Sequence, residues 1–282
     1  MKIITLIENT KNKNLSQELI SEQGLCLYIE KDNKCILFDT GRKGNFINNA
    51  QKLGIDLKKV DVVVISHGHG DHGGGLLEFF KINSKAKVYM KRNAKNKYYF
   101  RYLFLNIDVS IDEKVFEKYS KRIRYIDSFT EIMDEIFIIT DIYKQYKVPR
   151  GNKYLYIKEG TKLVPDKFHH ELIMIIKEAK GICIFAGCSH NGISNIIETS
   201  KNAFPNMNIK AVIGGFHLVT LPIIKSLSAS QWEINEIAKK IINTKVEKVY
   251  TGHCTGEKAY KKLKSILGDK IEYIRTGSEV NI

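Results

Sequence analysis

The stretch His67-Gly68-His69-Gly70-Asp71-His72 constrains this chain more than any other. It follows residues 60–65, an apolar run broken only by Asp61. Three glycines, Gly73, Gly74 and Gly75, come next, and then the apolar segment 76–80. That order predicts a buried strand, a polar turn and a helix. Glycines between the polar residues let the backbone turn so that the side chains converge instead of alternating. Imidazole nitrogens and carboxylate oxygens together form a ligand set for zinc, iron or manganese. His67 and His69, two apart at the end of an extended segment, can point to one side and grip one ion. Asp71 and His72, further round the turn at the helix entrance, can reach a second. Two metals about 3.5–4 Å apart can share a hydroxide nucleophile and clamp both oxygens of a displacement. A histidine-rich surface turn is the bland alternative. Scarcity argues against it, because the 282 residues hold eight histidines and three of them stand here.

Three later motifs also follow apolar runs: Gly187-Cys188-Ser189-His190-Asn191-Gly192-Ile193, Gly214-Gly215-Phe216-His217-Leu218 and Gly252-His253-Cys254-Thr255-Gly256. With the first motif they resemble the signature of the metallo-β-lactamase-fold superfamily. Within it, they are similar to the branch that includes the archaeal dihydropterin ribofuranosyl-aminobenzene phosphate synthase and its uncharacterised bacterial relatives. The similarity runs from Leu25 to the C-terminus and is weakest between about Met90 and Asp166.

The resemblance implies an α/β protein, a four-layer αββα sandwich, formed as a single domain over 1–282 with a basic, aromatic-rich insertion at about 91–166. It implies two divalent metal ions, zinc foremost, with iron and manganese also suited. The ligands it implies are His67, His69, Asp71, His72, His190 and His253. Asp71 would also orient the attacking metal-bound hydroxide. His217 would serve as a ligand, a proton donor to the leaving group or a phosphate contact. Asp39, at the tip of a predicted strand, would orient a metal-binding histidine from behind. A second register stays open. Most of the superfamily has a bridging Asp after a strand comparable to 181–186, and here Cys188 stands in that place. On that register His169 or His170 replaces His190.

Composition bounds the partners. The net charge of +14 suits an anionic one, but only seven of the 45 basic residues are arginine, so solvating surface lysines account for much of it. Residues 91–124 differ, with ten basic and four acidic side chains interleaved with Tyr98, Tyr99, Phe100, Tyr102 and Phe104. Aromatic faces beside cations suit a ring-bearing anionic substrate or single-stranded nucleic acid. No basic stripe of regular spacing supports nucleic acid, and a small phosphorylated substrate is the expected partner. No apolar run approaches the roughly 18–20 residues needed to cross a bilayer. The early charges of Met1-Lys2-Ile3-Ile4-Thr5-Leu6-Ile7-Glu8 read as a first strand rather than a signal peptide, so a cytoplasmic protein without membrane attachment is expected. Homodimerisation is compatible with the sequence. Of the five cysteines, Cys26, Cys35 and Cys183 lie in apolar runs, whereas Cys188 and Cys254 flank candidate ligands.

These features predict a metal-dependent hydrolase that uses a metal-bound hydroxide on a phosphoester or another small anionic substrate. The alternative that the resemblance implies is a transferase condensing a pterin diphosphate with an aminobenzene ribosyl phosphate. A nucleic-acid processing enzyme ranks below both.

Overall fold

The computed structural model describes residues 1–12, 18–219 and 227–282. The chain forms two compact units. The first comprises residues 1–126, 154–170 and 274–282, and the second 127–153 and 171–273.

In the first unit, one sheet runs in the order Glu279–Asn281, Lys2–Ile7, Cys26–Lys31, Lys34–Phe38, Val62–Val64, Lys87–Met90, Ile123–Tyr125. Its first half is antiparallel and its second half parallel, the change falling between Lys34–Phe38 and Val62–Val64. The helices Asn45–Lys52 and Leu76–Ile82 lie on this sheet. Phe46 and Ala50 from one, and Leu76, Phe79 and Phe80 from the other, join Leu37, Val63, Ile65 and Val88 in a single core. Their i, i+3 and i+4 spacing is what allows a helix to bury one stripe. A separate four-stranded sheet follows the order Lys162–Pro165, Leu155–Glu159, Tyr98–Tyr102, Leu105–Asp108. Its hairpin tip carries Leu103 and Phe104, the latter 86% exposed.

In the second unit, the sheet order is Ile271–Tyr273, Lys248–Thr251, Ile209–Gly214, Gly181–Phe185, Ile173–Glu178, Ile136–Ile139, Thr130–Met133. Pairing is parallel from Gly181–Phe185 through Ile271–Tyr273 and antiparallel on the other side. The helices Ile193–Ala203, Gln231–Asn243 and Gly256–Leu267 pack Ile193, Ile196, Ile197, Ile234, Ala238, Ile241, Ala259 and Leu263 on one face of this sheet. Met174, Ile176, Cys183 and Phe185, on the opposite face, are buried as well. Burial on both faces explains why these strands read as unbroken apolar runs rather than alternating ones. Among the described residues, no helix is long and apolar enough to cross a membrane.

The expected insertion divides its strands among all three sheets. Ile123–Tyr125 ends the first sheet, Thr130–Met133 and Ile136–Ile139 end the second, and Tyr98–Asp108 with Leu155–Pro165 build the third.

Candidate metal-binding clusters

Parallel pairing brings the first cluster together. Phe38 pairs with Val64, so the loops that follow the two strands leave the same sheet edge. Asp39 starts one loop and Ser66-His67 starts the other. The backbone N–H of Asp39 donates to the Val64 carbonyl over 2.9 Å. Its carboxylate accepts from the Ser66 N–H and hydroxyl, each at 2.8 Å, and from His72 Nδ1 at 2.6 Å. Asp39 is fully buried and adopts a φ of 60°, a conformation costly for a residue other than glycine. It holds the His72 ring by Nδ1 and directs Nε2 away from itself. The Ser66 hydroxyl lies 2.9 Å from His67 Nδ1 and fixes that ring in turn.

His67, His69 and His72 are buried to 0%, 4% and 0% exposure. The ring centroid of His67 lies 4.6 Å from that of His69 and 4.1 Å from that of His72. His67 Nε2 and His69 Nδ1 are 3.0 Å apart. That is close to the separation of adjacent ligands around an ion with metal–nitrogen bonds of about 2.0–2.1 Å. Burial, and then the neighbouring His170, push the His69 pKa down to about 3, so its ring is neutral at physiological pH. Neutral imidazole is the form that ligates a metal. Asp71 is half-buried, with Oδ1 3.9 Å from His72 Nε2. The residues of this cluster thus fit a divalent ion in burial, protonation state and spacing.

His170 is held differently. Its Nδ1 accepts the Gly68 N–H at 2.8 Å, and its Nε2 pairs with Asp166 Oδ2 at 2.9 Å. Both nitrogens are engaged, so His170 buttresses the turn between His67 and His69. His169, by contrast, is exposed. The Tyr98 ring packs 4.1 Å from that of His170 and 5.6 Å from that of His69, which brings one aromatic of the 91–124 segment to this cluster.

The second cluster also arises from parallel strand ends. Gly181–Phe185, Ile209–Gly214 and Lys248–Thr251 are successive parallel neighbours, so the three glycine motifs leave one sheet edge side by side. Gly215 N–H donates to the Gly187 carbonyl at 2.8 Å, Ser189 Oγ to the Gly215 carbonyl at 2.6 Å, and Phe216 N–H to Thr255 Oγ1 at 2.9 Å. Ser189, His217 and His253 have φ values of 59°, 49° and 50°. Each is a left-handed conformation that costs a non-glycine residue on the order of 1–3 kcal/mol.

Here Cys188, His190 and His217 offer ligand atoms within 4.8 Å of one another, as do Cys188, His253 and Cys254. The His190 and His217 ring centroids are 4.2 Å apart. Asn152 clasps His190 from both sides, its Oδ1 3.0 Å from Nδ1 and its Nδ2 donating to the His190 carbonyl at 2.8 Å. The buried Glu171 carboxylate accepts from the backbone N–H of His190 at 2.7 Å and of Asn191 at 2.8 Å. Burial alone would raise the Cys254 thiol pKa. Cys188 and the His253 and His217 imidazoles outweigh it and hold the thiol well below its usual range. Sequence reasoning missed Asn152 and Glu171. Glu171 left a trace, as an acid heading the apolar run 172–176, whereas Asn152 left none.

A family model described as the metallo-β-lactamase superfamily matches residues 20–253. The chain is 30% identical to the 7,8-dihydropterin-6-methyl-4-(β-D-ribofuranosyl)-aminobenzene-5'-phosphate synthase of Methanocaldococcus jannaschii, a match covering 98% of this chain and 95% of that one. It is 32% identical to an uncharacterised protein of the same organism, over 93% of both chains. Its structure is similar to the crystal structure of a metal-dependent hydrolase of the β-lactamase superfamily, with a TM-score of 0.83 and 31% identity over 100% of this chain and 99% of the other. Fold, motifs and full-length similarity agree: the chain belongs to the metallo-β-lactamase superfamily.

Proposed function

We propose that this protein is a metal-dependent hydrolase of a small phosphorylated substrate. On this reading His67, His69, Asp71, His72, His190 and His253 are ligands of two divalent ions, zinc first among them. The observation that carries the proposal is the convergence of His67, His69 and His72, buried and oriented from behind by Asp39 and Ser66. A divalent ion held by these residues would lower the pKa of a bound water and neutralise charge developing on phosphoryl oxygens. Asp71, at the helix entrance, would orient that water and accept the single proton it loses. His217 gives a proton to the leaving oxygen.

The test is a phosphomonoester and phosphodiester screen with zinc-, iron- and manganese-loaded protein, repeated with His217→Ala. The variant is expected to lose about 10²–10⁴-fold in kcat while keeping its metal. Equal turnover by the variant would remove His217 from the reaction. No turnover of any ester would remove the hydrolase.

A second reading has its own support, the full-length similarity to the M. jannaschii synthase. In a transferase the same residues would stabilise a departing diphosphate while an aminobenzene ribosyl phosphate, instead of water, attacks the pterin carbon. Incubation with both substrates distinguishes the two. A condensed product with release of diphosphate favours the transferase, and ester hydrolysis alone favours the hydrolase.

A further inference from the structure

We propose that the thiols of Cys188 and Cys254 ligate a divalent metal together with His253, giving the second unit a sulfur-containing site. The inference rests on the reading of His253 as a metal ligand and goes beyond it by assigning two sulfur ligands. The ligand atoms of the three residues lie within 4.8 Å of one another. Around a tetrahedral ion with metal–sulfur bonds of about 2.3 Å and metal–nitrogen bonds of about 2.0–2.1 Å, ligand atoms sit roughly 3.3–3.8 Å apart. A modest closing of the three side chains therefore completes the geometry.

Two further observations concern Cys254. A Cβ on Gly215 would stand 2.4 Å from its Sγ, so the bare glycine backbone makes room for the sulfur. The backbone N–H of His217 also points at that sulfur, over 3.3 Å. An N–H donor supports a charged thiolate more than a neutral thiol. Cys188 is central to the cluster, because its sulfur also lies within 4.8 Å of a nitrogen of His190 and of His217. Parallel strand ends hold all these loops, so the arrangement does not depend on one isolated turn. On binding, each thiol releases its proton to solvent and the metal accepts a sulfur lone pair, with no change of oxidation state. Thiolate and imidazole together select zinc, iron(II) or cobalt(II) over magnesium or calcium.

Cobalt(II) is the probe, loaded anaerobically into the untagged full-length protein stripped of metal. We expect a thiolate-to-cobalt charge-transfer band in the near ultraviolet. About half of it should be lost in Cys188→Ser and in Cys254→Ser, and all of it in the double variant, with Cys35→Ser unchanged. Circular dichroism checks the folding of each variant. A second measurement needs no variant: bound zinc should protect Cys188 and Cys254 of the wild-type protein from alkylation, read by mass spectrometry. Cobalt bound with visible d–d absorption but no charge-transfer band would overturn the thiolate assignment and leave the metal reading standing. So would equal alkylation of both cysteines with and without bound zinc. Failure to bind cobalt at all would bring down both.

Discussion

His72 carries its imidazole between two carboxylates that do different work. Asp39 binds Nδ1 at 2.6 Å and is sealed from water, whereas Asp71 stands 3.9 Å from Nε2 and is partly open. The same division recurs at His190, where an amide takes the place of the carboxylate. Asn152 Oδ1 lies 3.0 Å from Nδ1 and holds the ring, so, on the proposal that His190 ligates a metal, Asn152→Ala is expected to weaken metal retention by about 10–100-fold. Asn152→Asp, which keeps an acceptor, should recover most of it. Competition with a chelator measures both, and unchanged retention in Asn152→Ala would contradict the role. Asp166 gives a pH prediction. Burial opposes its ionisation, but the hydrogen bonds from the His170 ring and the Phe168 N–H keep the carboxyl below the usual carboxylate range. A depressed folded pKa stabilises the protein above the unfolded value of about 4 and loses that contribution as pH falls through the folded value. Urea midpoints from pH 6 downward should therefore fall less steeply for Asp166→Asn than for the wild type.

At the scale of elements, the sites follow from parallel strand ends, and most of those strands were legible. The runs at 35–39, 60–65, 181–186, 209–213 and 246–251 hold strands; they are largely apolar, as suits a sheet covered on both faces, though Asp61, Lys210, Glu247 and Lys248 interrupt them. Glycine marked where each strand gave way to its loop. The strand Glu279–Asn281 was not legible, because three residues with one apolar side chain carry no periodicity. It exists through its pairing with Lys2–Ile4 at the other end of the chain. Asn152 was hidden for a similar reason, since its partner His190 is distant in sequence. The segment 91–166 read as one insertion because its strands are short and mixed in character, yet pairing spreads them over three sheets. Gly75 tests how tightly the first metal motif is seated. A Cβ there would meet the Thr40 carbonyl oxygen at 2.3 Å and Phe46 at 2.7 Å. Gly75→Ala should cost about 1–3 kcal/mol by urea unfolding, as overpacking does, and should loosen metal by shifting the loop that begins at Asp39. Wild-type stability and metal content would show that the loop yields freely.

In the whole molecule, a superfamily fold carries two clusters of ligand-type residues, one in each compact unit. The net charge of +14 agrees with an anionic substrate, but solvating lysines explain much of it, so charge does not decide the function. The clusters do. The most direct measurement is metal content per chain, by elemental mass spectrometry, of protein purified without a histidine tag. It would be made for the wild type and for His67→Ala, His253→Ala and His170→Ala. Two divalent ions are expected in the wild type, with loss of metal in His67→Ala and His253→Ala and retention in His170→Ala, whose nitrogens are already engaged. Metal-free wild-type protein, even after reconstitution with zinc, iron or manganese, would contradict this expectation.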